Sequence, residues 1–237
     1  MLRSCFSTFI ALWLATAPVA VASAKPSPAA AETGLQIKKV DLAAKHKLYL
    51  VHVRYPFFEG TNRTQVQALN KIIKHCVNAN IDPTTRAARY SCDYRVCYLD
   101  RNLLSLDLTF AQDDDIKHKC LNIALTPAPH DLPFSKVFNC RDELSDLCIE
   151  SLDQKINYLS LPQDTLIVRK EKPPPFNLKK QGIEFHFSPG TVASCDAGWQ
   201  TAFVSYRSAK RSLKKNPLLT YLSRNTKPSR VFVPTCE

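Results

Sequence analysis

Nine cysteines among 237 residues constrain this chain more than any other feature, because the compartment in which it folds decides what their sulfur atoms become. The first 24 residues point to that compartment. Arg3 precedes an apolar stretch from Phe6 to Ala22, and Ala22-Ser23-Ala24 stands before Lys25. This three-part layout predicts a secretory signal over residues 1–24, cleaved after Ala24. Pro18 interrupts the run, and its clean core is shorter than the ~20 apolar residues a spanning helix needs. Cys5 leaves with the leader. Cys76, Cys92, Cys97, Cys120, Cys140, Cys148, Cys195 and Cys236 remain, and an even number in an exported chain predicts disulfides. The short loops from Cys140 to Cys148 and from Cys92 to Cys97 are the local candidates. No metal-type C-x-x-C spacing occurs, so neither a metal nor another cofactor is expected.

Export also frames the charge. The chain carries 32 Lys and Arg against 21 Asp and Glu, and losing Arg3 with the leader leaves it strongly cationic. Outside the cytoplasm the abundant anions are envelope polymers, lipid headgroups and acidic proteins. An anionic envelope polymer or an acidic protein is therefore the expected partner, and nucleic acid is not. No later segment is long and apolar enough to span a bilayer, so the mature protein is expected to be periplasmic or secreted.

The segment "KPSPAAAET" reads as a flexible linker over residues 25–34. "LYLVHVRYPFF", from Leu48 to Phe58, is rich in β-branched and aromatic residues and ends at Glu59-Gly60, as a strand and turn do. Thr64 to Gln67 has the capping-box form, and Val66, Leu69, Ile73, Cys76 and Val77 come after it at helical spacing. Alternation through Leu104, Leu106, Leu108 and Phe110 predicts a strand with one face in the core. Asp113-Asp114-Asp115 then reads as the solvated tip of a hairpin. Asp142 is placed to cap a second helix with an apolar stripe of Leu144, Leu147, Cys148, Leu152, Ile156 and Leu159. Only five glycines occur, and Gly182, Gly190 and Gly198 are spaced eight apart around short apolar runs. Strand, structured loop, strand is the reading, with Cys195 tying the loop down. The sum is an α+β fold, an antiparallel sheet backed by two main helices and stabilised by disulfides.

Four blocks, "VRYPFFEGTNRTQVQALNKII", "LLSLDLTF", "LPFSKVFNCRDELSDLCIESLDQKI" and above all "GIEFHFSPGTVASCDAGWQTAFVSY", resemble the extracytoplasmic domain of the RsiV anti-sigma factor. A related domain precedes the catalytic part of PdaC-type peptidoglycan deacetylases. The resemblance implies an α+β, non-catalytic domain at the cell envelope, over residues 35–215, with a basic tail over 216–237 after it. In the anti-sigma branch it also implies a lysozyme-type hydrolase as partner. A cationic chain is repelled at long range by a basic lysozyme, which places an anionic ligand first.

"YRSAKRSLKKN" holds Arg207, Lys210, Arg211, Lys214 and Lys215 with no acid among them. Helical spacing before Pro217 would set all five on one face, as an anion-binding surface. His46, His52, His75, His118, His130 and His186 form no sequence-local metal pattern; His52 and His186 fall on predicted strands, where surface or hydrogen-bonded positions are expected. The chain lacks G-x-S-x-G, H-E-x-x-H, the phosphate loop and the dinucleotide turn. No catalytic residue is assigned, and the expected function is a non-catalytic envelope-binding domain. The alternatives are a sensor or inhibitor of a wall hydrolase, or a wall-acting hydrolase.

Overall fold

The computed structural model describes residues 20–23, 34–45, 50–81, 89–139, 142–153, 167–168 and 173–224. Two units divide it, Met1–Asp131 and Leu132–Glu237.

The first unit is a seven-stranded sheet in sequence order, β1 (Ala20–Ser23), β2 (Leu35–Lys45), β3 (Leu50–Gly60), β4 (Arg89–Leu99), β5 (Leu103–Gln112), β6 (Asp115–Ala124) and β7 (His130–Asp131). Helix α1 (Arg63–Asn80) joins β3 to β4. Because a helix crosses between them, β3 and β4 pair in parallel, Leu50 with Arg89 through Val53 with Cys92. Every other pairing in this sheet is antiparallel. The expected antiparallel sheet is therefore corrected to a mixed one. Strand β2 shows no strict alternation and has no counterpart among the strands expected from sequence.

The cap of helix α1 lies two residues before the expected one. Asn62 Oδ1 accepts from the Gln65 amide at 3.1 Å, so Asn62, not Thr64, satisfies one of the open N–H groups of the first turn. The Gln65 side chain donates instead to the Leu125 carbonyl at 2.9 Å, tying the helix to the chain beyond β6. Val66, Leu69, Ile73, Cys76 and Val77 are all buried, the stripe that the spacing predicts. They join Val53, Phe58, Leu104, Leu106, Leu108 and Ile123 in one apolar cluster. The β5–β6 hairpin turns at Asp113, in the left-handed region at φ 51°. Its carboxylate accepts from the Arg89 amide at 2.9 Å, so the acidic residue shapes the turn. Strand β5 departs from the one-faced expectation, since Ser105 and Asp107, on the face opposite the leucines, are buried as well.

The second unit holds the three-stranded antiparallel sheet β10 (Gln200–Ser205), β9 (Gly182–Phe187), β8 (Phe176–Leu178), with β9 central. Helices α2 (Phe134–Val137), α3 (Asp142–Asp153) and α4 (Pro217–Arg224) complete it. Phe138 packs on Phe134, Phe176 and Phe185 with ring centroids 4.5, 5.2 and 5.7 Å apart. Leu144, Cys148 and Leu152 are the buried stripe of α3, joined by Ser145, whose hydroxyl accepts from the Val168 amide at 3.0 Å. Leu147 is half-buried, while Ile156 and Leu159 lie outside the described residues.

The glycine unit is a strand, loop and strand, with Gly182 opposite Ser205 and Phe187 opposite Gln200. A Cβ on Gly182 would stand 2.3 Å from the Val204 carbonyl oxygen, so the close approach of β10 requires glycine there. Cys195 does not tie the loop. Its thiol is exposed and unbridged, and the turn is held by the Ser188–Thr191 hydroxyl pair at 2.9 Å and by Gln200 Nε2 donating to the Ala197 carbonyl at 2.6 Å.

The expected disulfides are not formed among the described cysteines. Cys76, Cys92, Cys97, Cys120, Cys148 and Cys195 are thiols, and Cys140 and Cys236 lie outside the described residues. For the candidate loop Cys92 to Cys97 the reason is geometric. Cys92 is buried on the helix side of β4, whereas Cys97 sits at the bulge between Val96 and Tyr98 and is partly exposed.

Candidate functional site

Two surfaces carry the polar chemistry, one in each unit. In the first, charged side chains of the sheet pair across and along strands. Lys38 meets Glu59 at 2.7 Å, Arg54 meets Asp93 at 2.7 Å, and Asp41 receives Lys39 at 2.9 Å and His52 at 2.8 Å. The Lys39 and His52 hydrogen bonds hold the Asp41 carboxyl below its ordinary pKa. Asp107 is the buried carboxylate among them, accepting from His118 Nδ1 at 2.9 Å and from Arg95 at 3.2 Å. Beside it the Ser105 hydroxyl donates to Asn122 Oδ1 at 2.8 Å, with both residues buried. An imidazole oriented by a carboxylate is a general-base arrangement, but Ser105 gives its proton to Asn122. Buried polar groups so engaged specify strand register.

Each described histidine has its own setting. His52 and His186 fall on β3 and β9 as expected. His52 is exposed and bound to Asp41, whereas His186 is buried, with Nε2 3.0 Å from Asn177 Oδ1. Glu184, which takes an ion pair from Lys179, lies 3.6 Å from the same ring. His75 is exposed on α1, His130 bonds the Ala128 carbonyl at 2.8 Å, and His46 lies outside the described residues.

The second surface is the basic stretch after β10. Arg207, Lys210, Arg211, Lys214 and Lys215 are all exposed, and none forms an ion pair among the described residues. The segment is not the helix its spacing suggests. A 3-10 turn covers only Ser208–Arg211, and Leu213 then bridges to Phe138. Ala209 and Ser212 point inward and are buried, and Ser212 donates to Glu143 of α3 at 2.9 Å. Those anchors turn the intervening cations outward.

Sequence reasoning missed helix α4. Within the stretch assigned to a basic tail, Asn216 Oδ1 accepts from the Leu218 amide at 2.9 Å and Pro217 begins α4, a favoured start for a helix. Leu219 and Leu222 face inward. Lys215, Asn216, Pro217, Thr220, Tyr221 and Arg224 line an open depression of about 600 Å³. The Asn-Pro start and the paired leucines were the available signal. The depression extends the basic stretch with an aromatic ring, a hydroxyl and the cationic side chains of Lys215 and Arg224 at its rim.

No protein family matches the chain, and no curated protein matches it. Solved structures do. A member of the DUF3298 family from Bacteroides fragilis is similar at a TM-score of 0.57 and 13% identity, over 81% of this chain and 99% of its own. A DUF3298 family protein from Pseudomonas aeruginosa is similar at a TM-score of 0.52 and 10% identity, over 78% of this chain and 95% of its own. At such identities the likeness is one of fold. It defines this chain as an α+β protein with a DUF3298-like fold.

No helix among the described residues is long and apolar enough to cross a membrane.

Proposed function

We propose that this chain is an exported, non-catalytic binding domain of the RsiV type, periplasmic or secreted, that holds an anionic polymer of the cell envelope on its basic C-terminal stretch. One observation carries the reading. Arg207, Lys210, Arg211, Lys214 and Lys215 stand exposed within nine residues of one another, with no carboxylate partner among the described residues. Like charges at such density repel one another and are stabilised by an external anion. The leader supplies the route to the compartment, and cleavage after Ala24 would remove β1 from the edge of the first sheet.

Cosedimentation of the purified mature protein with wall sacculi tests this, beside anionic glycolipid vesicles and immobilised lysozyme. Saturable binding to sacculi or vesicles is expected, and it should be lost when the five cations are replaced by glutamine. Absence of binding to every anionic surface contradicts the reading, and binding to lysozyme alone transfers it to the hydrolase-sensor alternative.

A further inference from the structure

We infer that the outward face of helix α4 reads sugar, and that it takes an acidic oligosaccharide carrying one carboxylate per disaccharide repeat. Leu219 and Leu222 hold one side of α4 in the interior. Pro217, Thr220, Tyr221 and Arg224 recur at i, i+3, i+4 and i+7, so they share the opposite side. With Lys215 and Asn216 they line the depression of about 600 Å³, a volume within the range of small-ligand sites.

The lining mixes apolar rings with unengaged polar groups, as a carbohydrate requires. Tyr221 and Pro217 offer ring surface to the C–H face of a pyranose. Asn216 spends its Oδ1 on the Leu218 amide and keeps its Nδ2 to donate. That amide, the Thr220 hydroxyl and the Tyr221 hydroxyl have no partner among the described residues, and they suit the hydroxyl and acetamido groups of a sugar. Lys215 precedes the first turn of α4 and Arg224 closes the last. The eight residues of the helix between these ends span about 12 Å at 1.5 Å per residue. Two linked pyranose rings cover a comparable length, so successive carboxylates of such a chain meet the two cations. Arginine suits a planar carboxylate because its guanidinium donates two parallel hydrogen bonds. No described acid lines the depression, so nothing described there repels an anion.

A bilayer fits this face less well. Helices that lie on membranes turn their apolar side to the lipid, whereas α4 turns its leucines inward. A bare polyphosphate would use the cations and leave the Tyr221 ring idle. The cations from Arg207 to Lys214 act at long range, and α4 acts at contact. Sugar recognition rests on the envelope-binding role proposed above and gives that role a ligand class. Tyr221 and Arg224 lie outside the five cations that carry it, so the two fail separately.

Titration calorimetry of the purified protein compares three probes: a tetrasaccharide of alternating N-acetylglucosamine and N-acetylmuramic acid, neutral chitotetraose, and inorganic pyrophosphate. Saturable binding of the acidic tetrasaccharide is expected, with chitotetraose at least about tenfold weaker for want of charged hydrogen bonds. Pyrophosphate should also bind more weakly than the tetrasaccharide. Tyr221→Ala should weaken the tetrasaccharide at least about tenfold through lost ring contact, while Tyr221→Phe keeps most of the affinity and Tyr221→Ala still binds anionic vesicles. Arg224→Gln, at an exposed position, should weaken the tetrasaccharide by a similar factor and decides the matter if Tyr221→Ala fails to fold. Absence of tetrasaccharide binding, equal affinity for chitotetraose or pyrophosphate, or unchanged affinity in the folded variants overturns the inference. Binding to vesicles or sacculi without binding to the tetrasaccharide overturns sugar recognition alone and leaves the anionic-polymer role standing.

Discussion

The same kind of side chain serves opposite ends in the two units. On the first sheet, Lys38, Lys39, Arg54, Arg95 and Lys117 each meet a carboxylate within 3.2 Å. After β10, five cations stand without a described partner while Ala209 and Ser212 between them are buried. Pairing across or along strands consumes charge locally and helps fix register. Unpaired charge on an anchored backbone keeps its long-range field, which is what recruitment of an anionic surface requires. Net charge, equal in its meaning everywhere in the sequence, therefore says little until the partners are placed.

The largest expected effect breaks the contrast at its unpaired end. Replacing Arg207, Lys210, Arg211, Lys214 and Lys215 with glutamine should weaken binding to anionic vesicles by about 5 kcal/mol, taking ~1 kcal/mol per cation near an anionic surface. That is over about a thousandfold in Kd. Folding stability, read by urea denaturation, should change by no more than about 0.5 kcal/mol, as at ordinary surface positions.

At the paired end the order is reversed, with stability moving and binding staying. Asp107→Asn removes a buried charge that accepts from Arg95 and His118 and should cost about 1.5–3 kcal/mol in urea denaturation, the range for hydrogen bonds to charged groups. Arg54→Gln should cost only about 0.2–1 kcal/mol, because its partner Asp93 is half exposed. The Arg54 Nε, buried without a hydrogen-bond partner, further limits what that pair contributes. If Arg54→Gln costs as much as Asp107→Asn, burial is not what ranks these pairs.

The smallest effect is one of pH. Asp41 titrates below its ordinary value in the folded chain because Lys39 and His52 bond it. Its contribution is therefore complete above the unfolded pKa and is lost as pH falls through the folded pKa, on the acid side of about pH 4. Asp41→Asn should flatten the stability profile slightly in that window and leave it unchanged near neutrality.

Much of the fold was legible because periodicity reports burial directly. The buried stripe of α1, the β5–β6 hairpin with its Asp113 turn and the Gly182–Ser205 unit all arise from local pattern. The parallel β3–β4 pairing was not legible, since it depends on where a crossover helix docks. Nor was the buried polar face of β5, because Ser105 and Asp107 look like solvent-facing residues in an alternating run. For the candidate site, residue identity and exposure were readable but conformation was not. Ala209 and Ser212 break the expected helical face by turning inward, and α4 was hidden in a stretch whose charge drew more notice than its leucines.

Whether the unpaired cations act as one electrostatic surface is decided by a salt titration of vesicle binding. Kd for vesicles rich in anionic lipid is measured from low to high ionic strength for the native protein and the five-glutamine variant. We expect steep weakening with salt for the native protein, as the screening length shrinks from ~30 Å at 0.01 M to ~3 Å at 1 M, and a weak, nearly flat response for the variant. Equal affinities and equal salt slopes for the two proteins would contradict a binding role for the basic stretch.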